Sequence, residues 1–116
     1  MKHNNKLYTI DKLVEISNND PIFISKMIAI FSDQINLVLP QIKSFETNNE
    51  LALLKENIHK IRPSIESMGI TSIIDDLVFI EKYIIEKGLS IDVKKKLINV
   101  YDILDTVLDQ LKEYKH

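Results

Sequence analysis

Leu51, Leu54, Ile58, Ile61, Ile65 and Met68 step along the chain by three and four residues without error, a spacing that puts all six on one side of a helix. The turn Asn48-Asn49-Glu50 precedes this stretch and Gly69 closes it, the residue types expected at a helix start and a C-terminal cap. The same periodicity predicts four more helices. A short first helix from about Thr9 to Ile16 gathers Ile10, Leu13 and Val14, with Thr9 as N-cap, and ends in Ser17-Asn18-Asn19. Asp20-Pro21 then signals a start, since aspartate caps free amides and proline in the first turn gives up an N–H that has no helical partner. This second helix runs to about Phe45, with Phe23, Met27, Ile30, Phe31, Ile35, Val38 and Ile42 inward and a bend at Pro40.

Thr71 or Ser72 with Asp75 resembles a capping box that opens a fourth helix through Ile73, Leu77, Ile80 and Ile84, ended by Gly88. Ser90 and Asp92 start a fifth, with Val93, Leu97, Val100, Leu104, Val107, Leu108 and Leu111 inward. Long helices joined by short turns favour antiparallel neighbours. The predicted fold is therefore all-α: an antiparallel up-down-up-down four-helix bundle with the additional short N-terminal helix across one end.

The chain has 116 residues, enough for one domain with a real core and too few for two, so residues 1–116 are read as a single unit. Hydrophobic residues at 45% and charged residues at 28% exclude a disordered or fibrous chain. The absence of cysteine removes disulfides, thiolate nucleophiles and cysteine-bound zinc, and is compatible with a reducing cytoplasm. Met1 to Asn5 is polar, and no apolar run approaches the roughly 18 residues of a membrane span, so neither secretion nor membrane insertion is expected. Net charge is −2 with both signs interleaved, which leaves no basic stripe for nucleic acid. The only two glycines, Gly69 and Gly88, are too few and too far apart for a Walker loop or a dinucleotide fingerprint.

Of three histidines, His3 and His116 sit at the termini, poor places to hold a reacting geometry. His59 follows the core residue Ile58 on the best-defined helix, on the side turned away from the apolar seam, which predicts an exposed imidazole. Lys55 and Glu56 precede it by one turn, Arg62 and Pro63 follow by one turn, and Lys60 flanks it. Cations so placed would stabilise an added phosphoryl group. Imidazoles titrate close to neutrality, so a large fraction have a free ring nitrogen for attack at pH 7. A lone surface histidine on a charged helix face usually has no function, and geometry alone favours that reading. A metal site is not expected, because no second histidine lies at i+3 or i+4.

The stretch Ile58-His59-Lys60-Ile61-Arg62-Pro63-Ser64-Ile65-Glu66-Ser67-Met68-Gly69 resembles the histidine-containing phosphotransfer (HPt) domains of multistep phosphorelays. His59 falls on the phosphorylated position, Arg62 on the basic one, Ser64 on the serine and Gly69 on the closing glycine. Leu13 to Ser17, Asp20 to Phe23 and Ile30-Phe31 look like the first two helices of such domains, so the resemblance covers about Leu7 to Lys87. The individual residues are common, while their joint spacing in a helical domain of this size is not. One departure stands out: the family's usual glycine one turn after the histidine is Pro63, which adds bulk and removes a hydrogen bond to the His59 carbonyl.

The resemblance implies that His59 accepts a phosphoryl group from the aspartate of a receiver domain and passes it to another. Arg62, with Lys60 or Lys55, would neutralise phosphate charge, and Ser64 would orient nearby groups. Receiver docking would use the surface around His59 and the second helix, with Gln34, Leu37 and Gln41 as candidate contacts. The expected partners are response-regulator receiver domains and a hybrid histidine kinase. No cofactor is expected on this chain, the Mg2+ being held by the receiver, and there is no ATP site for kinase activity. A cytoplasmic monomer is expected; self-association through an apolar stripe on the fifth helix is a weaker reading. The alternative function is a phosphate-independent helical adaptor, a degenerate HPt domain that docks a receiver or another helical partner.

Overall fold

The computed structural model describes residues 6–114, so His3, His116 and the Met1–Asn5 stretch lie outside the described residues. Among those described the chain is all-helical, with five helices and no strand: α1 (Asp11–Ser17), α2 (Pro21–Thr47), α3 (Leu51–Ser67), α4 (Ile74–Lys87) and α5 (Ile91–Lys112). Helix α3 packs against α2 and α4, α5 packs against α4 and α2, and α1 packs against α2. Leu54, Ile58, Ile61, Ile65 and Met68 of the periodic seam are buried with Leu77, Ile80 and Ile84 of α4 and Leu97, Val100 and Leu104 of α5. Leu51 and Leu108 pack at the margin of this core.

The helix ends follow local chemistry where that chemistry has no competitor. Asp20 Oδ1 accepts from the amides of Ile22 (3.0 Å) and Phe23 (3.4 Å), and Ser90 Oγ accepts from the Val93 amide (3.2 Å). Gly69, at φ +64°, ends α3 in a Schellman motif: its amide bonds the Glu66 carbonyl and the Ile70 amide bonds the Ile65 carbonyl. Asn49, at φ +56°, repeats this geometry after α2. A Cβ on Gly69 would lie 2.6 Å from Thr9 Cγ2, so this turn also admits the N-terminal segment, whose Thr9 amide donates to the Met68 carbonyl (2.9 Å).

Several expectations are corrected. Helix α1 begins at Asp11; Thr9 Oγ1 accepts from the Asp11 amide at 3.0 Å, but Ile10 holds the N-cap position. The capping box of Thr71 or Ser72 with Asp75 does not form, because the chain enters α4 through Ile70 and Ile73, both fully buried, and Ile73 takes the cap position with no side-chain bond. Burial of two isoleucines there outweighs one cap. Helix α2 extends to Thr47, past the expected end at Phe45, and continues through Pro40 without a break, in keeping with the expectation for that position. Its buried line is Ile24, Ile28, Phe31, Ile35, Leu39 and Ile42, with Phe23, Met27 and Val38 beside it, while Ile30 is half exposed. Apolar residues occur on more than one side of this helix, so periodicity leaves its rotation ambiguous. For the same reason α2 is long and apolar enough to cross a membrane by length and composition, although charged residues interrupt its apolar runs.

Polar groups tie the helices at the core margin. Tyr101 Oη of α5 donates to Glu46 of α2 at 2.7 Å, and Asp76, a buried carboxylate in the first turn of α4, accepts from Asn99 Nδ2 at 2.6 Å and meets Lys96 Nζ at 3.3 Å. Burial, reinforced by the Glu46 hydrogen bond, raises the Tyr101 phenol well above its usual 10.0. The folded state favours the neutral phenol, so this residue's contribution is full below pH 10 and lost as pH rises above it. Urea unfolding at pH 8 and pH 11 should show a larger alkaline loss of stability in the wild type than in Tyr101→Phe; equal losses would contradict this assignment. In the core, Ile61→Asp places an unpaired charge where the wild-type side chain is 1% exposed, a defect of several kcal/mol against a total of about 5–15. The variant should lose its cooperative thermal transition in circular dichroism.

Candidate functional site

One step along a helix turns about 100°. Ile58 is fully buried, so His59 leaves the core for solvent, and its side chain is 69% exposed. On α4 the same relation holds between buried Ile80 and its neighbour Glu81, which turns toward α3. The packing of the two helices brings the pair together. His59 Nδ1 lies 2.6 Å from Glu81 Oε1, and Arg62 Nη1, one turn beyond His59, donates to Glu81 Oε2 at 2.8 Å. Glu81 is only 13% exposed and Arg62 29%, so the carboxylate is sheltered between an imidazole at the surface and a guanidinium beneath its rim.

The chemistry of the carboxylate sets the tautomer of a neutral ring. A carboxylate only accepts, so a neutral imidazole bonded to it through Nδ1 carries its proton there and leaves the Nε2 lone pair free. A bidentate carboxylate between Arg62 and His59 also restricts rotation of the imidazole, because each oxygen has one assigned partner.

The other predicted residues divide between two faces of α3. Lys55 lines an open groove with His59, Glu81, Ala52, Glu56 and Ile85. Lys60 is exposed and pairs with Glu56 at 3.5 Å, one turn back on its own helix. Pro63 is exposed one turn after His59, inside the continuous α3. Ser64 lies across the buried seam from Arg62: with Gln34 it lines a separate apolar cleft between α1, α2 and α3, beside Met27 and Phe31. The group that bonds the imidazole is thus Glu81 of α4, and Gln34 of α2 belongs to another cleft. Leu37, 65% exposed, and Gln41 stand on the solvent side of α2. Among the described residues no group of three or more metal-ligating side chains is assembled.

Glu81 is the functional candidate that sequence reasoning passed over. Its signal was present: it follows Ile80 in the α4 seam as His59 follows Ile58 in α3, so both are next to the seam, but which flank each faces depends on the packing. Ring-nitrogen NMR of the neutral protein should report the Nδ1–H form for His59. In Glu81→Ala the proton should be shared between both nitrogens, and an unchanged Nδ1–H signal in that variant would sink the tautomer argument.

No family model, curated protein or solved structure matches the chain.

Proposed function

We propose that this chain is a histidine phosphotransfer protein of a multistep phosphorelay, acting in the cytoplasm between receiver domains, with His59 as its phosphoacceptor. The observation that carries the reading is an exposed imidazole with Nδ1 committed to a sheltered carboxylate and Nε2 left open. The resemblance of the segment from Ile58 to Gly69 to HPt domains supplies the class of reaction. We propose as well that the four long helices form an antiparallel up-down-up-down bundle with α1 across one end. Packing of α3 against α2 and α4, and of α5 against α4 and α2, supports this, as do the short connections.

In the proposed reaction the Nε2 lone pair attacks the phosphorus of an aspartyl phosphate in line. An N–P bond forms while the P–O bond to the aspartate breaks, and the aspartate leaves with the electron pair as a free carboxylate. The Nδ1 proton stays in place, so the phosphorylated ring is a cation, and the Glu81 carboxylate at 2.6 Å offsets that charge. Reversal passes the group to a second receiver through the same geometry. The magnesium for either step belongs to the receiver's carboxylates.

Arg62 has a different first task from the phosphate contact that the resemblance implies: its Nη1 holds Glu81 in place. Lys55, in the same groove as His59, would meet the phosphoryl oxygens, whereas Lys60 pairs with Glu56.

Intact-mass analysis after incubation with aspartyl-phosphorylated, magnesium-loaded receiver domains tests the reading. Wild type should gain one acid-labile phosphoryl group and His59→Gln none. Arg62→Ala should keep the fold by circular dichroism and transfer roughly tenfold slower, the loss of one charge-assisted hydrogen bond. Binding of a receiver with no phosphoryl gain by wild type would instead establish the phosphate-independent adaptor.

A further inference from the structure

Helix α3 passes through Pro63 unbroken from Leu51 to Ser67. Proline has no N–H, so the bond that would close this turn onto the His59 carbonyl is missing. The position is exposed, as is His59, so the proline gains little by packing. It is also the costliest residue a helix interior can hold. The consequence falls on one atom. A backbone oxygen with two lone pairs and no i+4 helical donor belongs to the same exposed residue as the reacting ring. Helical side chains lean toward the N-terminus whereas carbonyls point toward the C-terminus, so the two groups open in opposite directions along one crest. The imidazole shares its groove with Lys55, while a helical carbonyl at this position opens toward the following turn, which holds Pro63.

We propose that Pro63 turns the His59 carbonyl into a docking contact: an acceptor that a receiver domain meets with an N–H or O–H donor at its rim while its phosphoaspartate faces Nε2. This contact rests on the phosphotransfer reading above. It makes Pro63 a specificity-determining residue, because receivers without a donor at that place leave the carbonyl unpaired once water is excluded. Pro40 provides an internal control. It frees the Asn36 carbonyl of α2 in the same way, on a helix that carries no phosphoacceptor and, against the expectation for Leu37 and Gln41, lines no part of the groove that holds His59.

The test compares Pro63→Ala, Pro63→Gly and Pro40→Ala with wild type by two donors. Aspartyl-phosphorylated, magnesium-loaded receivers require docking. Phosphoramidate does not: its P–N bond breaks as the new bond to Nε2 forms, and ammonia leaves. Both Pro63 substitutions restore the N–H that covers the carbonyl. They should label with phosphoramidate at the wild-type rate, yet accept from receivers roughly fivefold more slowly, the net effect of one hydrogen bond. Pro40→Ala should match wild type with both donors.

Receiver transfer at or above the wild-type rate in either Pro63 variant overturns the proposal. So does equal slowing with phosphoramidate, which would place the effect on the imidazole, or equal slowing in Pro40→Ala, which would make it a general effect of repairing a helix. A wild type that accepts from no receiver refutes the phosphotransfer reading itself, and this contact with it.

Discussion

The packing of α3 against α4 is the constraint on which the site depends, because His59 and Glu81 are 22 residues apart and meet only through it. Each helix contributes a buried isoleucine and, one position on, a polar residue that leaves the core: Ile58 and His59 on α3, Ile80 and Glu81 on α4. Interiors are close-packed and resist small displacements, so the isoleucines act as a fixed base for the polar pair above them. A shift of either helix by a single residue would turn its member of the pair about 100° away and leave the imidazole without a partner. The C-terminal turn at Gly69 matters for the same reason. It ends α3 after Ser67 and sends Ile70 and Ile73 into the core, which sets the position at which α4 begins.

Much of this was legible in the sequence, and unevenly so for physical reasons. The apolar seam of α3 is narrow and flanked by charged residues, so its rotation is fixed by pattern alone, and the exposure of His59 followed from it. Helix α2 is the opposite case. Ile22, Ile30 and Leu37 are apolar and exposed, so the apolar residues do not define one stripe, and Ile30 was assigned inward when Ile24 and Ile28 hold that place. The entry to α4 was misread because Thr71, Ser72 and Asp75 have the right spacing for a cap. Local propensity is worth about 1 kcal/mol there, and burying Ile70 and Ile73 outweighs it. Glu81 could not be read from any local pattern, since its role is defined by a neighbour on another helix. Ser64 and Arg62 show the same limit within one helix: two residues apart in sequence, they leave α3 on opposite flanks, one toward α2 and one toward α4.

If His59 takes up a phosphoryl group as proposed, the charge balance around it would suit a carrier better than a store of phosphate. With a neutral ring, Glu81 and Arg62 cancel. A phosphoryl group adds nearly two negative charges and the retained Nδ1 proton adds one positive, so the loaded site is left with an excess of negative charge. That excess faces solvent on a side chain 69% exposed, where Coulomb attraction to nearby lysines is weak. In the proposed reaction Glu81 would therefore stabilise the ring cation without burying the phosphoryl group, and Lys55, in the same groove, would act through a hydrated, screened contact. A deeper pocket lined with arginines would bind phosphate more tightly and release it more slowly. An imidazole held at one nitrogen and open at the other would leave a phosphoryl group on Nε2 within reach of the next receiver, which is what the proposed transfer between two aspartates demands.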